Sequence, residues 1–290
     1  MLTIIENELI KVKIASQGAE MTSLELKEDN QEYLWKADPR YWGRHAPVLF
    51  PIVGKVKNDQ YKVDGEVFKL TQHGFARDNE FELVEQEEQR VVYRLTSSEE
   101  LLNKYPYQFE LEIEYKLVAN RVEVTYNVKN KDQKTIYFSI GAHPAFNWPL
   151  EEGENKEDYY LEFEENEKLR ASLLDEGLLS DTTIEFLANN NSKPLAEELF
   201  RNDALILKDL KSKSVSLKSK SSDREVKVEF TGFPYMGIWS PPAGAPFICI
   251  EPWYGVADLK DSDGNLKTKE GIEVLQPEAE FSCMYSISIK

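Results

Sequence analysis

The run FELEIEYKLV (109–118) alternates apolar with charged or polar residues, and RVEVTYNVKN (121–130) does the same directly after it. Successive side chains of an extended strand point to opposite faces, so a period of two builds a strand with one dry side and one wet side. YKVDGEVFKL (61–70) places Asp64 and Gly65 between two such runs, the residue pair that a tight hairpin turn selects. VSLKS (215–219), EVKVEF (225–230) and MYSISIK (284–290) continue the pattern in the second half of the chain. Antiparallel sheets with one face on a core read in this way. The expected fold is therefore all-β, a large antiparallel β-sandwich with a few short helices.

Helical signals are sparse. SSEELLNKYP (97–106) opens with a capping box from Ser97 to Glu100 and stops before Pro106, and KPLAEELF (193–200) sets Pro194 at a first helical position. Two stretches, 149–182 and 240–247, read as loops. No repeat, low-complexity linker or break in composition divides the 290 residues, which predicts a single domain over 1–290. Lys and Arg number 35 against 52 Asp and Glu, a formal charge of -17 that repels phosphate backbones and anionic lipid. Neither a nucleic acid nor a membrane partner is expected. The first residues carry no basic segment followed by an apolar one, and no run approaches 18 apolar residues, so the chain reads as cytoplasmic. Oligomeric state is not legible.

Several chemistries lack their signatures. Gly54-Lys55 has neither the spacing nor the following hydroxyl of a P-loop, and no GxGxxG, HExxH, CxxC or GxSxG is present. Cys249 and Cys283 lie far apart in apolar runs, where cysteine acts as a small hydrophobe. No metal and no cofactor are expected. Four stretches depart from plain alternation: GRHAPVLFPIVGKVKN (43–58), QHGFAR (72–77), SIGAHPAFNWP (139–149) and FICIEPWYG (247–255). Each sets one or two polar residues among aromatics, glycine and proline. Glu251 follows an apolar run and precedes Pro252 and Trp253, and a carboxylate walled in this way gains the basicity of a general base. His73 and His143 are either hydrogen-bonded turn residues or acid/base groups, and His45 sits where a strand begins. Phe146, Trp148 and Trp253 read first as core, although aromatic faces are also what sugars stack on.

Taken in order along the chain, APVLFPIVGKVKN, LTQHGFARDNEF, YPYQFELEIEY, GAHPAFNWP and FICIEPWYGVAD resemble the aldose 1-epimerase (galactose mutarotase) superfamily. The match is to its LacX-like bacterial branch, which is related to the hexose-6-phosphate 1-epimerases. The resemblance implies a β-sandwich with a sugar on its open face and an isomerase that interconverts the α and β anomers of a hexose or hexose phosphate without a cofactor. By motif, Glu251 takes the role of base on the C1 hydroxyl and His143 that of acid on the ring oxygen. His73 matches the second histidine, which assists near the ring oxygen. Asp203 matches an aspartate that binds sugar hydroxyls. Lys55 or Arg44 stands at the family's substrate-binding arginine, depending on which motif anchors the alignment, and Arg77 belongs to the HGFAR form shared with the sugar-phosphate branch. Phe146 and Trp253 are the expected aromatic walls. A non-catalytic carbohydrate-binding protein on the same fold is the alternative reading. A glycosidase pairing Glu251 with Asp203 is a third.

Overall fold

A computed structural model describes every residue except Ala243 and shows an all-β sandwich. A four-stranded antiparallel sheet formed by Leu2–Glu6, Ile10–Ala15, Glu20–Leu26 and Gln31–Glu32 shares one apolar core with a much larger antiparallel sheet drawn from both halves of the chain. Buried hydroxyls tie the two together: Tyr93 donates to Thr3 at 2.6 Å and Tyr115 to the Ala19 carbonyl at 2.7 Å.

The alternating runs form the strands their period demands. Phe109–Val118 and Arg121–Asn130 pair along their full length, burying Phe109, Leu111, Ile113, Tyr115 and Leu117 opposite Val122, Val124, Tyr126 and Val128. Their wet faces form a charge ladder, with Arg90 on Glu114, Arg94 on Glu112 and Lys129 on Glu110 and Glu112. Part of the acidic excess is thus spent across strands. Asp64 and Gly65, both at positive φ, turn the hairpin Gln60–Val63 to Glu66–Lys69.

Three expectations need correction. The helical turn at Glu99–Leu102 is capped by Ser98, whose hydroxyl accepts the Leu101 N–H, one residue later than the capping box predicts. Pro194 ends a strand instead of starting a helix, and only the short 3-10 turn Glu197–Phe200 follows. The stretch 149–182 is a loop only as far as residue 158. Beyond it, Tyr159–Asp175 and Leu178–Pro194 form a hairpin of two 17-residue strands. Its register shifts between Glu162 and Glu167, at Lys168, at Arg170 and before Leu174, and each shift resets the face a residue occupies. The expected loop at 240–247 includes Ala243, which lies outside the described residues. Among the described residues no helix is long and apolar enough to cross a membrane.

Candidate active site

The site is organised by the strand Phe247–Tyr254, buried along nearly its whole length. Its even-numbered Ile248 and Ile250 enter the main core, so Phe247, Cys249, Glu251 and Trp253 face the other side of the sheet. Two short strands, Ile140–Ala142 and Ala145–Asn147, pair with it in one register, Gly141 opposite Trp253 and Ala145 opposite Cys249. Continuing that register through the gap sets His143 directly across from Glu251. Pro144 and Pro252 lack the N–H that would complete the ladder there, so the strands open where the two side chains meet. His143 Nε2 lies 3.2 Å from Glu251 Oε2.

Both groups are buried, yet the contact lacks hydrogen-bond alignment: Glu251 Oε2 and His143 Nδ1 have no partner. They lie at a cavity of about 350 Å³ that Trp42, Arg44, Gln72, His73, Arg77, Asp203, Trp239 and Trp253 also line. That volume is within the range of small-molecule sites. Burial raises the Glu251 carboxyl well above its ordinary range, and the nearby Asp203 charge adds to this. Burial, with Arg77 and Arg44 adding to it, lowers the His143 imidazole to about 3. Both shifts favour the neutral forms, so the proton of this buried pair is drawn toward Glu251 and away from His143. Carboxylate with imidazolium, the arrangement the resemblance leads one to expect, is the same pair with the proton moved across the gap.

The Trp42 ring stacks on His143 at 4.7 Å and 27°, and the Trp239 ring meets it edge-on at 5.7 Å. An aromatic face of this kind favours a cationic imidazole and partly offsets its desolvation. Trp253 fits between two glycines: a Cβ on Gly237 would lie 2.4 Å from its ring and one on Gly141 2.6 Å from it. Its indole N–H donates to the Ala142 carbonyl at 3.2 Å.

His73 is in the left-handed region at φ 68, followed by Gly74 at φ 71, where a Cβ would collide with the Phe50 carbonyl oxygen at 2.2 Å. The Gly54 N–H donates to His73 Nδ1 at 3.2 Å, so the hydrogen of the neutral ring is on Nε2. The Gln72 amide nitrogen lies 3.2 Å from Nε2, and turning that amide over presents its oxygen to the ring N–H. Burial, with His143, Arg77 and Arg44 adding to it, holds the His73 imidazole well below its ordinary value and keeps it in this neutral form. Arg77 donates from Nη2 to the Gln72 carbonyl at 2.8 Å, while its buried Nε has no partner, and burial lowers the guanidinium to about 10. Arg44 pairs with Asp78 at 2.7 Å. Asp203, at φ 72, accepts the Ala204 N–H at 2.9 Å.

Glu251, His143, His73, Asp203, Arg77, Arg44 and Trp253 thus all line one cavity. Two of the expected residues do not. Phe146 pairs opposite Ile248 and shares its core-facing side, fully buried. Lys55 turns away to the hairpin tip, where its ammonium donates to the Glu176 carbonyl at 3.4 Å, and it lines a neighbouring cavity instead. Trp42, Gln72 and Trp239 were not anticipated. Trp239 was within reach of the period-two rule: it pairs opposite Cys249, two residues beyond the Gly237 that pairs with Glu251. Among the described residues the one cluster of potential metal ligands is His143, Cys249 and Glu251, within 4.8 Å of one another. Burial raises the Cys249 thiol as it raises the Glu251 carboxyl, so a cation there would have to displace two protons.

A sequence profile of the aldose 1-epimerase family matches residues 1–270. The chain belongs to the aldose 1-epimerase family. Within that family it is 39% identical over 295 residues to the chromosomal LacX protein of Lactococcus lactis subsp. lactis, covering 98% of both chains. The fold superposes on a galactose mutarotase related enzyme from Lactobacillus acidophilus with a TM-score of 0.96 and 39% identity, over 100% of this chain and 97% of that one. A galactose mutarotase-like protein from Lactobacillus casei gives a TM-score of 0.94 and 32% identity, with both chains fully covered.

Proposed function

We propose that this aldose 1-epimerase family member is a mutarotase that interconverts the α and β anomers of a hexose or a hexose phosphate. The observation that carries the reading is the pair His143 and Glu251, 3.2 Å apart across a strand gap, each with a buried, unpartnered polar atom. Opening a pyranose ring needs a proton taken from the C1 hydroxyl and a proton given to the ring oxygen, and reclosure needs the reverse. One proton shared by two groups serves both directions.

The cycle balances without any other reactant. With a sugar in place, its hydroxyls hydrogen-bond the carboxylate and favour the ionised form of Glu251, which leaves the proton on His143 against the Trp42 face. Glu251 accepts the O1 proton while the His143 imidazolium protonates O5. The C1–O5 bond breaks and C1 becomes an aldehyde. The site then holds protonated Glu251 and neutral His143, the forms that burial favours for both groups. Rotation about C1–C2 presents the other face of the carbonyl, His143 takes back the O5 proton, Glu251 returns its proton to O1, and the opposite anomer leaves. His73, held by the Gly54 N–H on Nδ1, forms a neutral polar wall beside the pair. Asp203 accepts from ring hydroxyls, and Trp253 forms a wall.

Arg77 and Arg44 concentrate positive charge in the cavity of a chain whose formal charge is -17. The unpartnered Arg77 Nε supports a phosphate or a ring oxygen as its partner. The test follows fresh α-glucose and α-galactose, each with and without a 6-phosphate, by polarimetry. Exchange faster than in buffer for at least one of the four is expected, and buffer rates for all of them would remove the proposal.

A further inference from the structure

Lys269 and Asp258 form a salt bridge whose side chains are almost wholly buried, and neither residue lines the cavity of His143 and Glu251. An ion pair taken out of water gains little stability over apolar residues of similar volume, because desolvation offsets the attraction. The hydrogen bonds around this pair lead toward the site instead. We propose that Lys269 and Asp258 are positioning residues: they clamp residues 54–57 to the end of the strand Phe247–Tyr254 and thereby hold His73 against His143.

The clamp has two anchors. Asp258 accepts the Lys57 N–H through Oδ2 at 3.0 Å and gives its own N–H to the Lys55 carbonyl at 2.9 Å. Lys269 Nζ meets Asp258 Oδ1 at 2.9 Å and donates to the Val256 carbonyl at 2.5 Å, so one ammonium fixes both the carboxylate and the backbone that carries it. Between these anchors Ala257 lies directly on Gly54, where an added Cβ would be 2.7 Å from the Ala257 Cα. Gly54 holds His73 twice: its carbonyl accepts the His73 N–H at 2.8 Å, and its N–H donates to His73 Nδ1 at 3.2 Å. The His73 ring then meets the His143 ring edge-on, with centroids 5.5 Å apart at 84°.

Two properties of His73 therefore depend on a pair that never touches it. One is its place beside His143, and the other is its tautomer, since the bond that Nδ1 accepts leaves the ring hydrogen on Nε2. Glu251 lies on the strand from which the clamped segment continues, so the same pair sets His73 relative to both members of the acid/base pair. Asp258→Leu removes the acceptor of the Lys57 N–H, and Lys269→Met removes the donor to the Val256 carbonyl. Made together, they strand no charge, so the fold can survive a change that loosens the clamp.

The effect on catalysis rests on the mutarotase reading, whereas the effect on His73 does not, so two measurements are made. Ring ¹⁵N NMR reads the tautomer of His73, which is tractable in a chain with three histidines, and polarimetry reads anomer exchange. Wild type should show His73 bare at Nδ1 and hydrogen-bearing at Nε2. Lys269→Met/Asp258→Leu should show a ring averaged over both tautomers and a kcat about tenfold lower. Leu111→Ala, a core truncation remote from the clamp, should lose stability and leave the His73 signals as in wild type. Wild-type His73 signals in the folded double variant overturn the clamp, as does an equal change of those signals in Leu111→Ala. Altered signals with a wild-type kcat overturn the positioning role. If the double variant does not fold, Lys269→Met/Asp258→Asn decides, since it frees the Val256 carbonyl yet keeps an acceptor for Lys57: a mixed His73 tautomer supports the clamp and an unchanged one overturns it. Should wild type exchange no sugar, the mutarotase reading fails, and the His73 signals alone decide the clamp by the same criteria.

Discussion

Replacing Glu251 with glutamine separates what the residue does for chemistry from what it does for the fold. The side chains are isosteric, and burial pushes the carboxyl toward its neutral form, so Glu251→Gln keeps the volume of the site and mimics that neutral form. The new amide can donate to neutral His143 across the 3.2 Å gap, giving a partner to an atom that lacks one. The sign of the stability effect follows from linkage. A carboxyl whose folded value is raised above its unfolded value contributes stability below the unfolded value, and that stability is lost as pH rises through the folded value. Glutamine does not titrate, so the variant should gain on wild type from about pH 4.5 upward, by about 1.4 kcal/mol for each pH unit until the folded carboxyl ionises. Activity should move the other way. Loss of the group that takes the O1 proton is expected to lower kcat by about 10²–10⁴, or roughly 3–5 kcal/mol of barrier, with little change in KM. Urea denaturation at pH 5 and pH 8, alongside polarimetry, reads both quantities. A variant less stable than wild type at pH 8, or one with kcat within tenfold of it, would refute the reasoning.

Two further outcomes test neighbouring parts. Lys269 and Asp258 form a buried ion pair at 2.9 Å, with side chains only 2% and 4% exposed, and Asp258 also accepts the Lys57 N–H at 3.0 Å. Lys269→Met strands that carboxylate and should cost about 3–5 kcal/mol in urea denaturation, partly recovered by adding Asp258→Asn; a cost below 1 kcal/mol would contradict the assignment. The pH profile of kcat/KM should show a plateau that begins above the His143 value of about 3 and runs past the ordinary carboxylate range, because one proton stays on the pair between that value and the raised value of Glu251. The rate should fall on the alkaline side when that proton is lost, and a narrow bell between pH 4.5 and 6.5 would show two groups at ordinary values instead.

Where the period-two rule applies without interruption, sequence and structure agree: Phe109–Val118, Arg121–Asn130 and the Asp64 hairpin are legible to within a residue. The long hairpin of Tyr159–Asp175 and Leu178–Pro194 is not, since its bulges switch the buried face several times and destroy the period. The same rule could have corrected one site residue. Phe146 is three positions from His143, an odd separation that puts it on the opposite face of an extended chain, and it packs in the core beside Ile248. Lys55 was beyond reach, because the direction it takes depends on the hairpin tip that the sequence hid. Trp42 and its stack on His143 depend on the path of the loop before Val48, which no local pattern encodes. His143 and Glu251 were legible as residue types in unusual surroundings. Their direct opposition came only with the register of Gly141 on Trp253 and Ala145 on Cys249.

The central claim is that His143 and Glu251 break and remake the C1–O5 bond with one shared proton, and isotope labelling tests it most directly. Anomer exchange of the preferred sugar is followed in ¹⁸O-water by ¹³C NMR, where ¹⁸O at C1 shifts the carbon resonance. Ring opening predicts fast exchange between the two anomers, with label entering C1 no faster than in the enzyme-free control. No enzyme-dependent exchange, or label entering C1 as fast as the anomers interconvert, would show that the C1–O5 bond is not the one this pair acts on.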